Sequence, residues 1–347
     1  MSQPVKRINL ALQGGGAHGA FTWGVLDRLL ADPGIDIAAI SGTSAGALNG
    51  AALKAGMALD GRDGGRAALR RLWDQIGGVG DLRATAWMIP SLPTWQAFSD
   101  QIDDILPMSP AEWTTRLFSP YAYGPWYRNP LADIVEKLQL DPAKSADGPA
   151  LFVSTTNVRT GKIRVFSGAE ISTAVILASA CLPTLFQAVD ITDPVTGITD
   201  AYWDGGFVGN PALFPLYDPA LPDDIVIVNI NPIRRDAVPT TTNDIQNRLN
   251  EVSFNASLLA DLRAIAFVKK LLGQGSVAPG AMKDVLVHMI ADDDLMNSLS
   301  VNSKLSAPPA LLERLMEAGQ TAADRFLADH RNNLNHRGTV DLAAIYS

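Results

Sequence analysis

The chain has 347 residues, enough for one large domain or two small ones. It is 47% hydrophobic and 18% charged, which excludes a disordered chain. A net charge of −8 disfavours a nucleic-acid partner held by a broadly basic surface. The single Cys181 excludes an intrachain disulfide and a multi-cysteine zinc site.

The N-terminus leads into a short apolar run at 8–12. A secretory leader has a longer apolar stretch and a small-residue cleavage site, so none is expected and a cytoplasmic protein is favoured. The run 8–12, bounded by Lys6-Arg7 and by glycines, predicts a buried parallel strand. Ala20, Phe21, Val25, Leu26, Leu29 and Leu30 predict a helix over 17–30, stopped by Asp32-Pro33-Gly34. A second strand at 35–40 and a second helix at 45–55 follow. This β-α-β-α order predicts a parallel sheet covered by helices.

A further helix is predicted at 66–76, and then the pattern breaks. The stretch 77–130 holds seven prolines and Trp87, Trp95, Trp113 and Trp126. It reads as an insertion, either a lid with aromatic residues facing an apolar ligand or an irregular segment with its own small core. A hairpin is predicted from 151–155 and 163–166 around Arg159-Thr160-Gly161-Lys162. The charge-free stretch 171–189 has the length of a bilayer span, but Ser172, Thr173, Ser179, Pro183, Thr184 and Gln187 suit lipid poorly. It predicts a buried helix ending before Pro183. Strands are expected at 225–230 and 285–290, and a helix at 243–272. An amphipathic helix at 309–334 carries Leu312, Leu315, Met316, Gly319, Ala322, Phe326 and Leu327 on one stripe. With no repeat and no linker, residues 1–347 are read as one α/β domain, with the insertion at about 77–130 and a helical C-terminal part at about 240–347.

Ser44 stands in Gly42-Thr43-Ser44-Ala45-Gly46, directly after a predicted strand and before a predicted helix. That is the setting of a nucleophile elbow, a sharp turn that needs small neighbours and lifts a hydroxyl above the sheet. A tight turn whose serine merely caps the helix is the plainer alternative. Gly14-Gly15-Gly16-Ala17-His18-Gly19 follows the first strand in the same way. Its backbone N–H groups could gather around a phosphate or a developing oxyanion. It also spells the dinucleotide fingerprint, but the acidic residue that fingerprint needs near the end of the second strand is missing, since Asp36 lies at its start. No Gly-Lys-[Ser/Thr] follows, which excludes a P-loop. Two such turns side by side at the C-terminal edge of a sheet suit acyl transfer better than cofactor binding.

A serine hydroxyl needs a base. Of the four histidines, His18 lies in the glycine loop, and His330 and His336 lie in a polar segment. His288 alone is placed for a Ser…Asp…His order, inside a predicted buried strand where a structural role is the ordinary one. Asp204, in Asp204-Gly205-Gly206, is the better candidate, although Asp-Gly is also a plain turn signal. Asp292-Asp293-Asp294 fails the calcium-loop pattern and reads as a solvated turn before a helix. Cys181 reads as a small buried packing residue.

Taken together, Gly14 to Gly19, Gly42 to Gly46, and Asp204 to Gly206 resemble the three motifs of the patatin-like phospholipases, in order, over roughly residues 7–211. The run from Ala178 to Phe186 also resembles that family's small-residue helix ending in Pro and an aromatic. The resemblance implies a three-layer α/β/α sandwich with a mainly parallel central sheet. It implies a Ser44–Asp204 dyad without a catalytic histidine, an oxyanion hole at Gly14, Gly15 and Gly16, an elbow framed by Gly42 and Gly46, and no metal or cofactor. The expected reaction is hydrolysis of lipid esters, of the phospholipase A or lysophospholipase kind. A triacylglycerol or polyhydroxyalkanoate esterase with the same dyad is an alternative, as is a non-catalytic dinucleotide- or partner-binding protein. A lipid substrate implies peripheral membrane contact, although the acidic net charge opposes simple docking to anionic lipid. Many relatives carry Arg or Lys where this chain has His18, and a neutral imidazole favours an anionic head group less. The oligomeric state is not legible.

Overall fold

The computed structural model describes residues 4–80, 119–122, 127–278, 280–299 and 302–346. Most of the aromatic and proline-rich stretch at 77–130, with its four tryptophans, therefore lies outside the described residues. The chain opens with β1 (Lys6–Leu12), α1 (Gly19–Leu30), β2 (Ile35–Gly42) and α2 (Ala45–Val79), the expected βαβα start. α2 joins the two helices expected at 45–55 and 66–76. It breaks at Asp60 and Gly61, where Gly61 takes φ 53°. Then come α3 (Ala132–Glu136), β3 (Ala150–Asn157), β4 (Ile163–Ser167), α4 (Thr173–Ser179), β5 (Val189–Thr192) and β6 (Thr199–Asp204). The rest is β7 (Asp224–Val228), α5 (Thr242–Gly273), β8 (Leu286–Ile290), α6 (Asp293–Ser298), α7 (Asn302–Leu305) and α8 (Pro309–His330).

The strands form one sheet in the order β5-β6-β3-β2-β1-β7-β8, with β4 paired to β3. The β1–β2, β2–β3, β1–β7 and β7–β8 pairs are parallel, and the pairs among β3, β4, β5 and β6 are antiparallel. The sheet has helices on both faces, giving the expected three layers. Ile8, Leu10 and Leu12 of β1 join Val226 and Val228 of β7 in the core under α1, α2 and α8. The alternate residues, Ala11, Ile225 and Ile227, meet Leu258, Leu262 and Ile265 of α5 on the other face. A bulge opposite Ile8 and Asn9 changes the parity of β2, so Ile35, Ile37 and Ile40 all reach the first core.

The helix expected to end before Pro183 does so, at Ser179. Beyond that end the Cys181 carbonyl accepts the N–H of Asp204 (2.8 Å), which ties the turn to β6. The β5–β6 hairpin was not legible in the sequence. α8 carries the expected stripe and crosses α1 at Gly24 and Gly319. A Cβ on Gly24 would fall on the Met316 carbonyl, and one on Gly319 on the Phe21 carbonyl. Gly24→Ala is therefore expected to force the two backbones apart, at a cost of about 1–3 kcal/mol, read as a lower thermal unfolding midpoint.

Candidate active site

Register brings the three motifs together. β2 runs alongside β3 until Gly42 faces Val153, and β6 meets β3 where Asp204 faces Thr155. The ends of β2 and β6 thus reach β3 two residues apart. β1 ends beside β2, with Leu12 facing Gly42, and delivers the glycine loop to the same edge.

Ser44 occupies the turn between β2 and α2 with φ 54° and ψ −122°. For a residue with a side chain this conformation costs about 1–3 kcal/mol and persists only where its surroundings fix it. Several contacts do so. The Ser44 N–H donates to Ser179 Oγ (2.9 Å), whose own hydroxyl donates to the Ser154 carbonyl (2.7 Å). Thr43 Oγ1 donates to the Gly209 carbonyl (2.6 Å). A Cβ on Gly42 would come within 2.6 Å of the Gly46 carbonyl, and one on Gly46 would fall on the Leu12 carbonyl. The elbow's two glycines are thus required by close approach of backbone.

Asp204 closes β6 and is fully buried. Its Oδ1 accepts the Gly206 N–H (2.7 Å), which caps the short turn after it. Burial pushes its carboxyl up from 3.8 to about 7, against the pull of the Gly206 N–H and of the Ser44 hydroxyl. Oδ2 closes no hydrogen bond of ordinary geometry among the described residues. One carboxyl oxygen is thus left for the Ser44 hydroxyl, whose pull on the carboxyl is weaker than that of the Gly206 N–H.

The glycine loop lies against the elbow. A Cβ on Gly14 would come within 2.6 Å of Ser44 Cβ. One expectation needs correction here. The Gly14 N–H donates to Asn210 Oδ1 (2.6 Å) and is not available to an oxyanion. Gly15 and Gly16 remain, and neither N–H has an acceptor among the described residues. His18 is buried, with Nε2 on the Ser303 hydroxyl (2.7 Å). Burial, with Lys304 nearby, drops its imidazole to about 3, so it is neutral. His288 serves elsewhere: its Nε2 pairs with Asp224 Oδ1 (2.9 Å) and its Nδ1 with Thr339 Oγ1 (3.1 Å).

A cavity of about 520 Å³, its open mouth included, reaches Ser44. Leu48, Trp73, Ile76, Leu131, Leu182, Leu185, Phe186 and Leu305 make it largely apolar, and Lys304 is the one charged residue in its lining among the described residues. Cys181 is buried behind this wall with its thiol on the Gln187 carbonyl (3.1 Å), and burial pushes it up to about 12, as inert packing. Asp292 caps α6 by accepting the Leu295 N–H (3.0 Å). Among the described residues, no helix is long and apolar enough to cross a membrane.

Sequence reasoning missed Ser179, Gln13, Asn231 and Lys304, and noticed Asn210 only as a neighbour of the Asp-Gly-Gly turn. Each acts through a contact distant in sequence; only Ser179 sits in a recognised pattern, the small-residue run 178–186, which gives no hint of its bond to the Ser44 N–H.

No curated protein matches this chain. Eleven chains of solved structures do. One is the crystal structure of VipD from Legionella pneumophila, 16% identical, covering 95% of this chain and 68% of that one, with a TM-score of 0.41. The family model described as patatin-like phospholipase matches residues 10–217, more than half of the chain, and spans all three motifs. On that match this chain belongs to the patatin-like phospholipase family, a family of lipid acyl hydrolases.

Proposed function

We propose that this protein is a serine hydrolase of carboxylic esters of lipids, with Ser44 as nucleophile and Asp204 as its base. The observation that carries the reading is a strained, well-braced Ser44 opening onto an apolar cavity beside a buried carboxyl with one free oxygen. Asp204 takes the Ser44 proton as Oγ attacks the ester carbonyl. The carbonyl oxygen becomes an oxyanion, which the Gly15 and Gly16 N–H groups stabilise. The tetrahedral intermediate collapses, the C–O bond to the alcohol breaks, and Asp204 returns the proton to the leaving alkoxide. Water then attacks the acyl-enzyme with Asp204 again as base. This releases the fatty acid and restores Ser44. The acyl chain lies along the apolar wall of Leu48, Leu131, Leu185 and Phe186. An aspartate at its ordinary pKa is a weak base for a hydroxyl, and a carboxyl raised to about 7 is better matched to the task.

Fluorophosphonate labelling with peptide mapping tests this without a guess at the substrate. A single adduct on Ser44 is expected, absent from Ser44→Ala. An adduct elsewhere, or none in the presence of detergent or lipid, would refute the assignment.

A further inference from the structure

α7 lies beyond the matched stretch 10–217 and yet forms part of the glycine loop's support. The Lys304 carbonyl fills the space beside Gly16, where φ is +60° and any Cβ would collide with it. Lys304 lines the same cavity as Ser44 and Gly16. Its Nζ donates to Asn231 Oδ1 (2.9 Å). Asn231 Nδ2 in turn donates to the Gly14 carbonyl (2.8 Å) and to Gln13 Oε1 (3.1 Å).

The direction of this chain of bonds is fixed. An ammonium only donates, so Asn231 must turn its oxygen towards Lys304. The Gly14 carbonyl only accepts, so Asn231 must turn its amide nitrogen towards the loop. Gln13 Oε1 is fixed likewise, because it accepts the backbone N–H groups of Ile230 (2.9 Å) and Asn231 (3.1 Å). The Gly14 carbonyl belongs to the same peptide unit as the Gly15 N–H. Bonding to that carbonyl polarises the unit and makes its N–H a stronger donor.

We propose that Lys304 is a positioning residue for the oxyanion hole. Through Asn231 it fixes and polarises the Gly14–Gly15 peptide, so that the Gly15 N–H binds the oxyanion on the Ser44 adduct more tightly than an isolated peptide would. The inference rests on the reading of Ser44 as nucleophile.

The relay needs the charged ammonium. Burial pushes Lys304 down to about 8, Glu251 opposes that fall and Arg235 adds to it. Glu251 is itself paired with Arg235 and Arg248, and His18 faces Lys304 as a neutral ring. Nearby, Asp244 acts on Arg235, and Asp293 is influenced by Glu251. Deprotonation of Lys304 therefore falls within the working range of a neutral hydrolase, and the oxyanion hole weakens as pH rises through about 8.

The test is the rate of Ser44 phosphonylation and the kcat and KM for a neutral ester, from pH 6 to 10, in wild type, Lys304→Met, Lys304→Arg, Asn231→Ala and the Lys304→Met/Asn231→Ala double variant. Removing a whole oxyanion donor costs about 10²–10³ in rate, so loss of its polarisation is expected to cost about 10-fold or more in kcat, with KM within about twofold. Wild type is expected to lose rate above about pH 8. Lys304→Arg, permanently charged, should hold its rate through that range. The double variant should be no slower than Asn231→Ala, because both changes break one relay. Lys304→Met at the wild-type rate, a loss confined to KM, or an alkaline limb shared by wild type and Lys304→Arg would overturn the role of Lys304 while leaving Ser44 as nucleophile. Should Lys304→Met fail to fold, the limb of Lys304→Arg still decides. Wild type without labelling at Ser44 would overturn both readings.

Discussion

Asp204→Asn is expected to lower kcat for a lipid ester by about 10⁴-fold, the scale seen when the carboxylate of a serine hydrolase is removed. The substitution keeps the shape of the side chain and leaves Oδ1 to accept the Gly206 N–H. What it removes is the oxygen that takes the Ser44 proton in the proposed dyad. The loss should lie in kcat, with KM little changed, if the acyl chain lies on the apolar cavity wall as proposed. His288→Gln provides the contrast. His288 is bound to Asp224 and Thr339 and flanked by Phe326, so its replacement should lower stability without touching the labelling of Ser44. A His288→Gln protein that stays folded but loses labelling would defeat the dyad.

The same Asp204→Asn protein is expected to be more stable than wild type above neutral pH. The sign follows from linkage. The folded pKa of about 7 lies above the ordinary value of 3.8, so the folded state binds the proton more tightly than the unfolded state. That contribution is complete below pH 3.8, is lost progressively as pH rises to about 7, and changes no further above it. The difference amounts to an upper bound of about 4 kcal/mol, since each pKa unit corresponds to about 1.4 kcal/mol. Urea unfolding at pH 4 and pH 8 checks it. The two proteins should nearly coincide at the acid end and separate at pH 8, with the asparagine form the more stable. Equal stability at both values would mean that the carboxyl is not perturbed in the folded protein. The site therefore holds its base at the expense of the fold, and inactivation and stabilisation should arrive in one substitution.

The parts of this molecule that could be read from its sequence are those in which local pattern and tertiary fate agree. β1 and β2 are buried over most of their length, and each is written as a short, mostly apolar run, broken only by Asn9 in one and by Asp36 and Ser41 in the other, leading into a glycine turn. The elbow and glycine loop follow them directly, so their setting was visible with their residues. The β5–β6 hairpin has a four-residue first strand that is exposed at alternate positions and a second that opens with Thr199-Asp200, which leaves little to distinguish it from a loop. Asp204 was consequently ambiguous with a plain turn, and only the set of three motifs favoured it. α4 ends before Pro183, as the proline implies, whereas the bond from the Asp204 N–H to the Cys181 carbonyl joins residues 23 apart and has no local signature. Lys304 and Asn231 are 73 residues apart and meet only in the folded chain. Gly14 shows the same limit from the other side. The motif correctly placed it against the serine, but the partner that occupies its N–H is Asn210, 196 residues away.

β1 lies between β2 and β7, and its residues Asn9 to Leu12 pair with Ile225 to Val228. The stretch that carries every motif ends at residue 217, before β7 begins. Detached there, it would keep its serine, its aspartate and its glycines, yet the strand that delivers the glycine loop would become an open margin with unpaired backbone groups, ready to recruit a neighbouring chain. Asn231 and α7, which brace that loop, would be gone as well. The recognisable signature is thus shorter than the sheet that carries it. The C-terminal third, which carries none of the motifs, completes the sheet on which they depend.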